Sequence, residues 1–273
     1  MSMSICDGID EIIDEQFKEV IANVGKKPPH YKRTKSCQLL TISSRPSHFN
    51  ADKLINNMLL CVKRNWLMSQ QLSNRRPSKE NWRFKKMPKK SEKNKSPEKV
   101  LEKKIAEFTS NDWVNQVPTA SGLINENKDK KRSIDLVYKH REYEYELIEL
   151  KVESNTPLSA AMEVLQYAIL YMFSRHHYTE SEQKAKKLLN AKKIHLTVLA
   201  PHKYYDECNL EWLEQALNDS LRRFMETQPF KLEMDFHFKA FPQDFNAIGG
   251  YSDEDCRSAL KRIKPVYGLQ KDL

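Results

Sequence analysis

The sequence predicts an α/β fold with a mixed central sheet, preceded by a mainly helical N-terminal region. Three observations point there. Up to residue 72 the readable apolar residues recur every three or four positions, the spacing of one helix face. From Trp113 onward, short runs rich in Val, Ile, Leu and aromatic residues alternate with longer helical runs. Composition agrees: 39% apolar and 30% charged residues, with only 6 glycines, suit helices packed on a sheet.

The elements follow in order. Ile5, Ile9, Ile12, Ile13, Phe17, Val20, Ile21 and Val24 predict a helix over 5–24, capped by Ser4 or Asp7 and ended by Gly25. The stretch 26–50 holds Pro28-Pro29 and a candidate strand over 38–42. Asn50 is placed to cap a second helix over 51–72, with Leu54, Ile55, Met58, Leu59, Val62, Trp66 and Leu67 on its apolar face. From Arg75 to Lys95 the composition changes: ten Lys or Arg stand against two acids, with Trp82 and Phe84 between them. This segment reads as a basic linker or a nucleic-acid arm. In the second case Arg75, Arg76, Arg83, Lys85, Lys86, Lys89 and Lys90 would grip phosphates while the aromatics stack on bases. The expected division is therefore 1–74, helical; 75–95, linker or arm; and 96–273, the sheet-containing core.

Ser96-Pro97-Glu98 opens a helix, with a hydroxyl cap, a proline in the first turn and an acid at the positive end. Trp113 to Ala120 reads as the first core strand. Ser133–Tyr138 and Glu142–Val152 read as two strands joined by a tight polar turn. Thr156-Pro157 starts an apolar helix reaching Phe173. A buried strand over Ile194–Leu199, a helix over Leu210–Thr227, a period-2 strand at 232–239 that is half-buried or at an edge, and a short helix from Asp253 to Ile263 complete the chain.

The hairpin carries the chemistry. Side chains alternate along a strand, so Glu149 and Lys151 share one face, while Ile148, Leu150 and Val152 take the other as core. Asp135 lies between Ile134 and Leu136, which point away from it. Pairing the strands brings two carboxylates and an ammonium together. Hard dications take oxygen ligands, one or two carboxylates plus phosphates and waters. A bound metal acidifies its water and shields charge on a phosphodiester. Glu-x-Lys also occurs at Glu102-Lys103-Lys104 and Glu182-Gln183-Lys184, so the signal is the strand, hairpin and following helix together.

Asp135 followed by Glu149-Leu150-Lys151, set in the order helix, three strands, helix, strand over residues 96–240, resembles the PD-(D/E)XK nuclease superfamily with its restriction-endonuclease-like α-β-β-β-α-β core. Ile134 stands where that family commonly has proline. The resemblance implies a deoxyribonuclease dependent on Mg2+, with Mn2+ as a substitute. Asp135, Glu149 and the Leu150 carbonyl would hold the metal, and Lys151 would position the water. Family members often add a glutamate from the preceding helix; Glu102 is the choice here, with Glu98 second. Many also carry Gln-x-x-x-Tyr on the next helix. This chain has Glu163-Val164-Leu165-Gln166-Tyr167, so Glu163 or Gln166 would act with Tyr167 or Tyr171. The implied partner is DNA, with a homodimer allowed. The alternative is a catalytically inactive nucleic-acid-binding or scaffolding protein of the same fold. An interaction protein with an unrelated α/β fold and a surface acidic hairpin is the third.

The totals fit a polyanionic partner: net charge is +9. Cys6, Cys37, Cys61, Cys208 and Cys256 are scattered without a C-x-x-C pair, which argues against a disulfide framework or structural zinc and for a reducing compartment. No signal peptide and no membrane-spanning run are expected, hence an intracellular location, cytoplasmic or nucleoid-associated. Gly249-Gly250 lacks the strand and helix of a phosphate loop, so no nucleotide cofactor is expected. His140, His176, His177, His195 and His202 read as ordinary surface or core histidines.

Overall fold

Six strands form one mixed sheet in the spatial order β1-β2-β3-β4-β5-β6. The computed structural model describes residues 3–21, 30–32, 45–70, 77–87, 96–125, 128–206 and 208–268. The strands are β1 (Trp113–Pro118), β2 (Ser133–Arg141), β3 (Glu144–Leu150), β4 (Lys193–Pro201), β5 (Glu233–Phe241) and β6 (Lys264–Pro265). The first three form an antiparallel meander; β3, β4 and β5 run parallel; β6 returns antiparallel. The parallel steps need crossovers, which α4 (Pro157–His177) and α6 (Glu211–Glu226) supply. The remaining helices are α1 (Ile9–Ile21), α2 (Ala51–Gln70), α3 (Pro97–Phe108), α5 (Glu180–Lys184) and α7 (Asp253–Lys261). The α/β class and mixed sheet are as expected. The candidate strand over 38–42, the Gly25 stop and Cys37 lie outside the described residues.

Local sequence explains the helix starts. Asn50 Oδ1 accepts from the Lys53 amide at 2.9 Å. The Ser96 and Thr156 hydroxyls accept from Lys99 and Ser159, each ahead of a proline in the first turn. α1 begins after Gly8, whose φ is +91° and where a Cβ would meet Cys61 Sγ at 3.2 Å.

Two apolar clusters flank the sheet. The larger joins α1, α2, α4 and α6 to one face. α4 is buried nearly all round, between sheet and α2, as its run from Leu158 to Ser174 demands. The smaller cluster sets Leu101 and Ile105 of α3 and Cys256 and Ala259 of α7 against Leu136, Ile148, Leu150, Leu199 and Phe241. Val152 also packs there, as its alternation with Leu150 predicts. The first helices thus share the core of the sheet.

Both sheet edges are covered. At the β5 edge, where β6 contributes two residues, Asn218 and Glu214 of α6 accept the Phe236 and Phe238 amides at 2.7 and 2.8 Å. This places β5 inside the assembly rather than at a bare edge. At the β1 edge lies the segment 77–87. Trp82 donates its amide to the Pro118 carbonyl, and Asn115 Oδ1 accepts from the Met87 amide. Trp82 is fully buried, its indole donating to Ser174 Oγ at 2.8 Å and its ring edge-on to Tyr171. This corrects the expectation that Trp82 is free to stack on bases. Charge composition suggested a solvated segment, but one indole with a buried partner holds it down. Arg83 pairs with Glu80, and Lys86 donates to the Thr109 carbonyl, leaving Lys85 exposed. Arg75, Arg76, Lys89 and Lys90 lie outside the described residues.

Candidate active site at the end of the β2–β3 ladder

The pairing of β2 with β3 runs from the hairpin to Leu136–Ile148 and stops one residue short of Asp135. There Asp135 Oδ2 accepts the Leu150 amide at 3.2 Å, so a carboxylate takes the place of a backbone rung. Alternation also breaks at this point. Ile134 joins the larger cluster with Val137, whereas Leu136 joins the smaller one, so Ile134 and Leu136 do not share a face as expected. Across the sheet, Gln116 between Asn115 and Val117 has a left-handed backbone, φ +48°. Left-handed backbone at a non-glycine residue costs about 1–2 kcal/mol and collects at functional sites.

The break gathers six charged side chains. Lys151 donates to Glu149 Oε1 and to Glu163 Oε2, both at 2.7 Å. Tyr167 donates to Glu149 Oε2 at 2.8 Å. Lys99 donates to Glu102 Oε2 at 2.6 Å and Asp135 Oδ1 at 2.9 Å. Glu102 is further held by Asn115 Nδ2 at 3.0 Å and Gln116 Nε2 at 2.8 Å. Glu102, Glu149 and Lys151 are 1%, 4% and 6% exposed. Groups this enclosed feel one another strongly.

Their protonation follows. Burial pushes the Glu149 carboxyl well above the usual carboxylate range, and Asp135 adds to the push. Burial raises Glu102 as well, against the pull of Lys99. For Lys151 burial acts downward, but Glu149 and Glu163 outweigh it and hold the ammonium above the ordinary lysine value. Lys99 is raised in the same way by Asp135 and Glu102. Glu163 is lowered, because Lys151 overcomes its burial.

The structure therefore brings Asp135, Glu149, Lys151 and Glu102 together, with Glu163 and Tyr167 from α4. Glu98 is elsewhere: its Oε1 accepts the Val152 amide and the Ser154 hydroxyl, fastening the turn after Lys151. Gln166 accepts from Arg132 Nη1 at 3.1 Å, and Tyr171 donates to the Leu188 carbonyl within the core. Lys99, Asn115 and Gln116 escaped the sequence reading. A signal for Lys99 was present: it sits three residues before Glu102, which puts the two on one helix face.

Four carboxylates face two ammonium groups here. The donors that meet here are carboxylate oxygens, and the Leu150 peptide lies against Asp135. No protein-family model, curated protein or solved structure matches this chain.

Proposed function

We propose that this chain is a divalent-metal-dependent nuclease that hydrolyses phosphodiester bonds of DNA. The observation that carries the reading is the convergence of Glu102, Asp135, Glu149 and Lys151 where the β2–β3 ladder ends. Support also comes from the order α3, β1, β2, β3, α4, β4, which is that of the PD-(D/E)XK core. In this reading Asp135, Glu149 and the Leu150 carbonyl would hold Mg2+ or Mn2+, which when bound would acidify a water and shield phosphate charge. Lys151 would position the attacking water and offset charge on the phosphate. Glu163 and Tyr167 hold Lys151 and Glu149 in register. Glu102 and Gln116 fix the helix side of the site.

One observation favours the second reading, a catalytically inactive nucleic-acid-binding or scaffolding protein. Lys99 already supplies a countercharge to both Glu102 and Asp135. In the nuclease, Lys99 must yield Asp135 to the metal.

Cleavage of supercoiled plasmid, linear duplex and single-stranded DNA with Mg2+ or Mn2+ separates the two. The nuclease cuts only with metal, and Lys151→Ala abolishes cutting. A folded wild type that binds DNA and cuts none of these substrates supports the second reading. Cutting that survives Lys151→Ala places the activity elsewhere.

A further inference from the structure

The face of the sheet that carries the smaller apolar cluster turns polar toward the hairpin. Strand alternation puts His195 and Thr197 on the face of Leu199, and Asp235, His237 and Lys239 on the face of Phe241. His195 lies directly across from Asp235, and His237 is two residues further along β5. Asp235 Oδ1 stands 2.6 Å from His195 Nδ1 and 3.3 Å from His237 Nε2. One donor atom from each of the three residues falls within 4.8 Å of the others. The set is separate from the Asp135–Glu149 group and is not used there.

The outer ring nitrogens supply the second observation. His195 Nε2 is 3.0 Å from Glu144 Oε1, and His237 Nδ1 is 3.5 Å from Glu214 Oε1. Both outer carboxylates are themselves anchored. Glu144 pairs with the Arg141 guanidinium, and Glu214 accepts the Phe238 amide through its other oxygen at 2.8 Å. A histidine whose far nitrogen is held by a fixed carboxylate has its tautomer and ring plane set for metal ligation. Asp235 and His237 also line a cleft of about 1190 Å³ walled by Arg175, Lys192, Arg222 and Lys231, so these two ligands are reachable from solvent. Lys193 is the competing cation, 3.7 Å from Asp235 Oδ2.

We infer that His195, Asp235 and His237 form a three-ligand site for a transition-metal dication of the zinc class. Two imidazoles and one carboxylate are the nitrogen and oxygen donors such ions take, three protein ligands leaving a fourth position for water or another ligand. Zinc bonds of about 2.0–2.1 Å place tetrahedral donors about 3.3 Å apart, so the His195–Asp235 contact opens by under about 1 Å. This chemistry differs from the all-oxygen set at Asp135 and Glu149, which favours magnesium.

The test uses the 273-residue chain stripped by a chelator and titrated with Zn2+ by calorimetry, then with Co2+ followed by its visible d–d spectrum. With excess Mg2+ present to fill the Asp135–Glu149 group, wild type takes up one equivalent, and Co2+ gives the intense bands of a low-coordinate nitrogen and oxygen site. His195→Gln and His237→Gln each weaken the affinity by more than about 100-fold, and Glu144→Ala by about 10–100-fold. Glu149→Gln leaves it unchanged. Thermal melts of each variant confirm folding before titration. Folded wild type that takes up no zinc overturns the site, as does zinc uptake undiminished in both folded histidine variants.

Discussion

Glu149 combines near-complete burial with three charged neighbours, so neutralising it has opposite effects on stability and chemistry. Glu149→Gln keeps an acceptor for Tyr167 and leaves Lys151 its bond to Glu163. It removes a buried like charge from beside Asp135. The variant is therefore expected to melt at or above the wild-type temperature, a gain of up to about 2 kcal/mol. Metal-dependent cleavage should fall at least about 100-fold. Differential scanning calorimetry beside a plasmid assay reads both. At this scale the strand pattern put Glu149 and Lys151 on one face, whereas Asp135 meets the Leu150 amide where the alternation of β2 fails. Glu102 and Glu98 were not separable, because both stand on exposable faces of one helix, and only packing decides that Glu102 faces β1 while Glu98 fastens the turn after Lys151. Gln116 carried no local signal; its left-handed backbone falls where the β1–β2 register skips Gln116 and Asp135.

Among elements, the segment 77–87 is the one that composition misrepresents. Its cations suggested an arm, yet Trp82 seats it against β1 and α4. Trp82→Ala should cost about 3–5 kcal/mol, read as the urea midpoint. Trp82→Phe keeps most of the packing and loses the bond to Ser174, at about 1 kcal/mol. Because the indole is enclosed, Trp82→Phe should leave DNA affinity unchanged; a tenfold loss in the folded variant would restore the stacking role. The periodic elements α2 and β5 and the apolar runs of α4 and β4 were legible within a few residues. The coverage of β5 by Asn218 and Glu214 was not, since nothing local in a helix marks which polar residues will cap a distant strand edge.

For the molecule as a whole, net charge and pH set the remaining expectations. With a net charge of +9, affinity for duplex DNA should fall steeply between about 50 and 200 mM salt. A slope near zero in a fluorescence-anisotropy titration would remove DNA as the partner. Stability should be acid-sensitive through Glu146, which is enclosed by β4 and β5. Burial works against its ionised form, but His140, Lys239 and Thr197 lower the carboxyl to about 2. A lowered carboxylate stabilises the fold above its unfolded value of about 4.3 and loses that contribution as pH falls toward 2. The stability gap between wild type and Glu146→Gln should thus be widest near neutral pH, about 3 kcal/mol, and shrink on acidification to pH 3. A gap independent of pH in urea melts would contradict the assignment.

A nuclease of the proposed kind must cut DNA through the carboxylate group at the end of the β2–β3 ladder, with a bound dication. The most direct measurement is the rate of plasmid nicking against Mg2+ concentration for wild type and Glu149→Gln, both confirmed as folded. Wild type is expected to nick at a rate that saturates with Mg2+, and the variant to show no nicking above background. Equal rates, or no metal-dependent nicking by wild type on any DNA, would contradict the proposal.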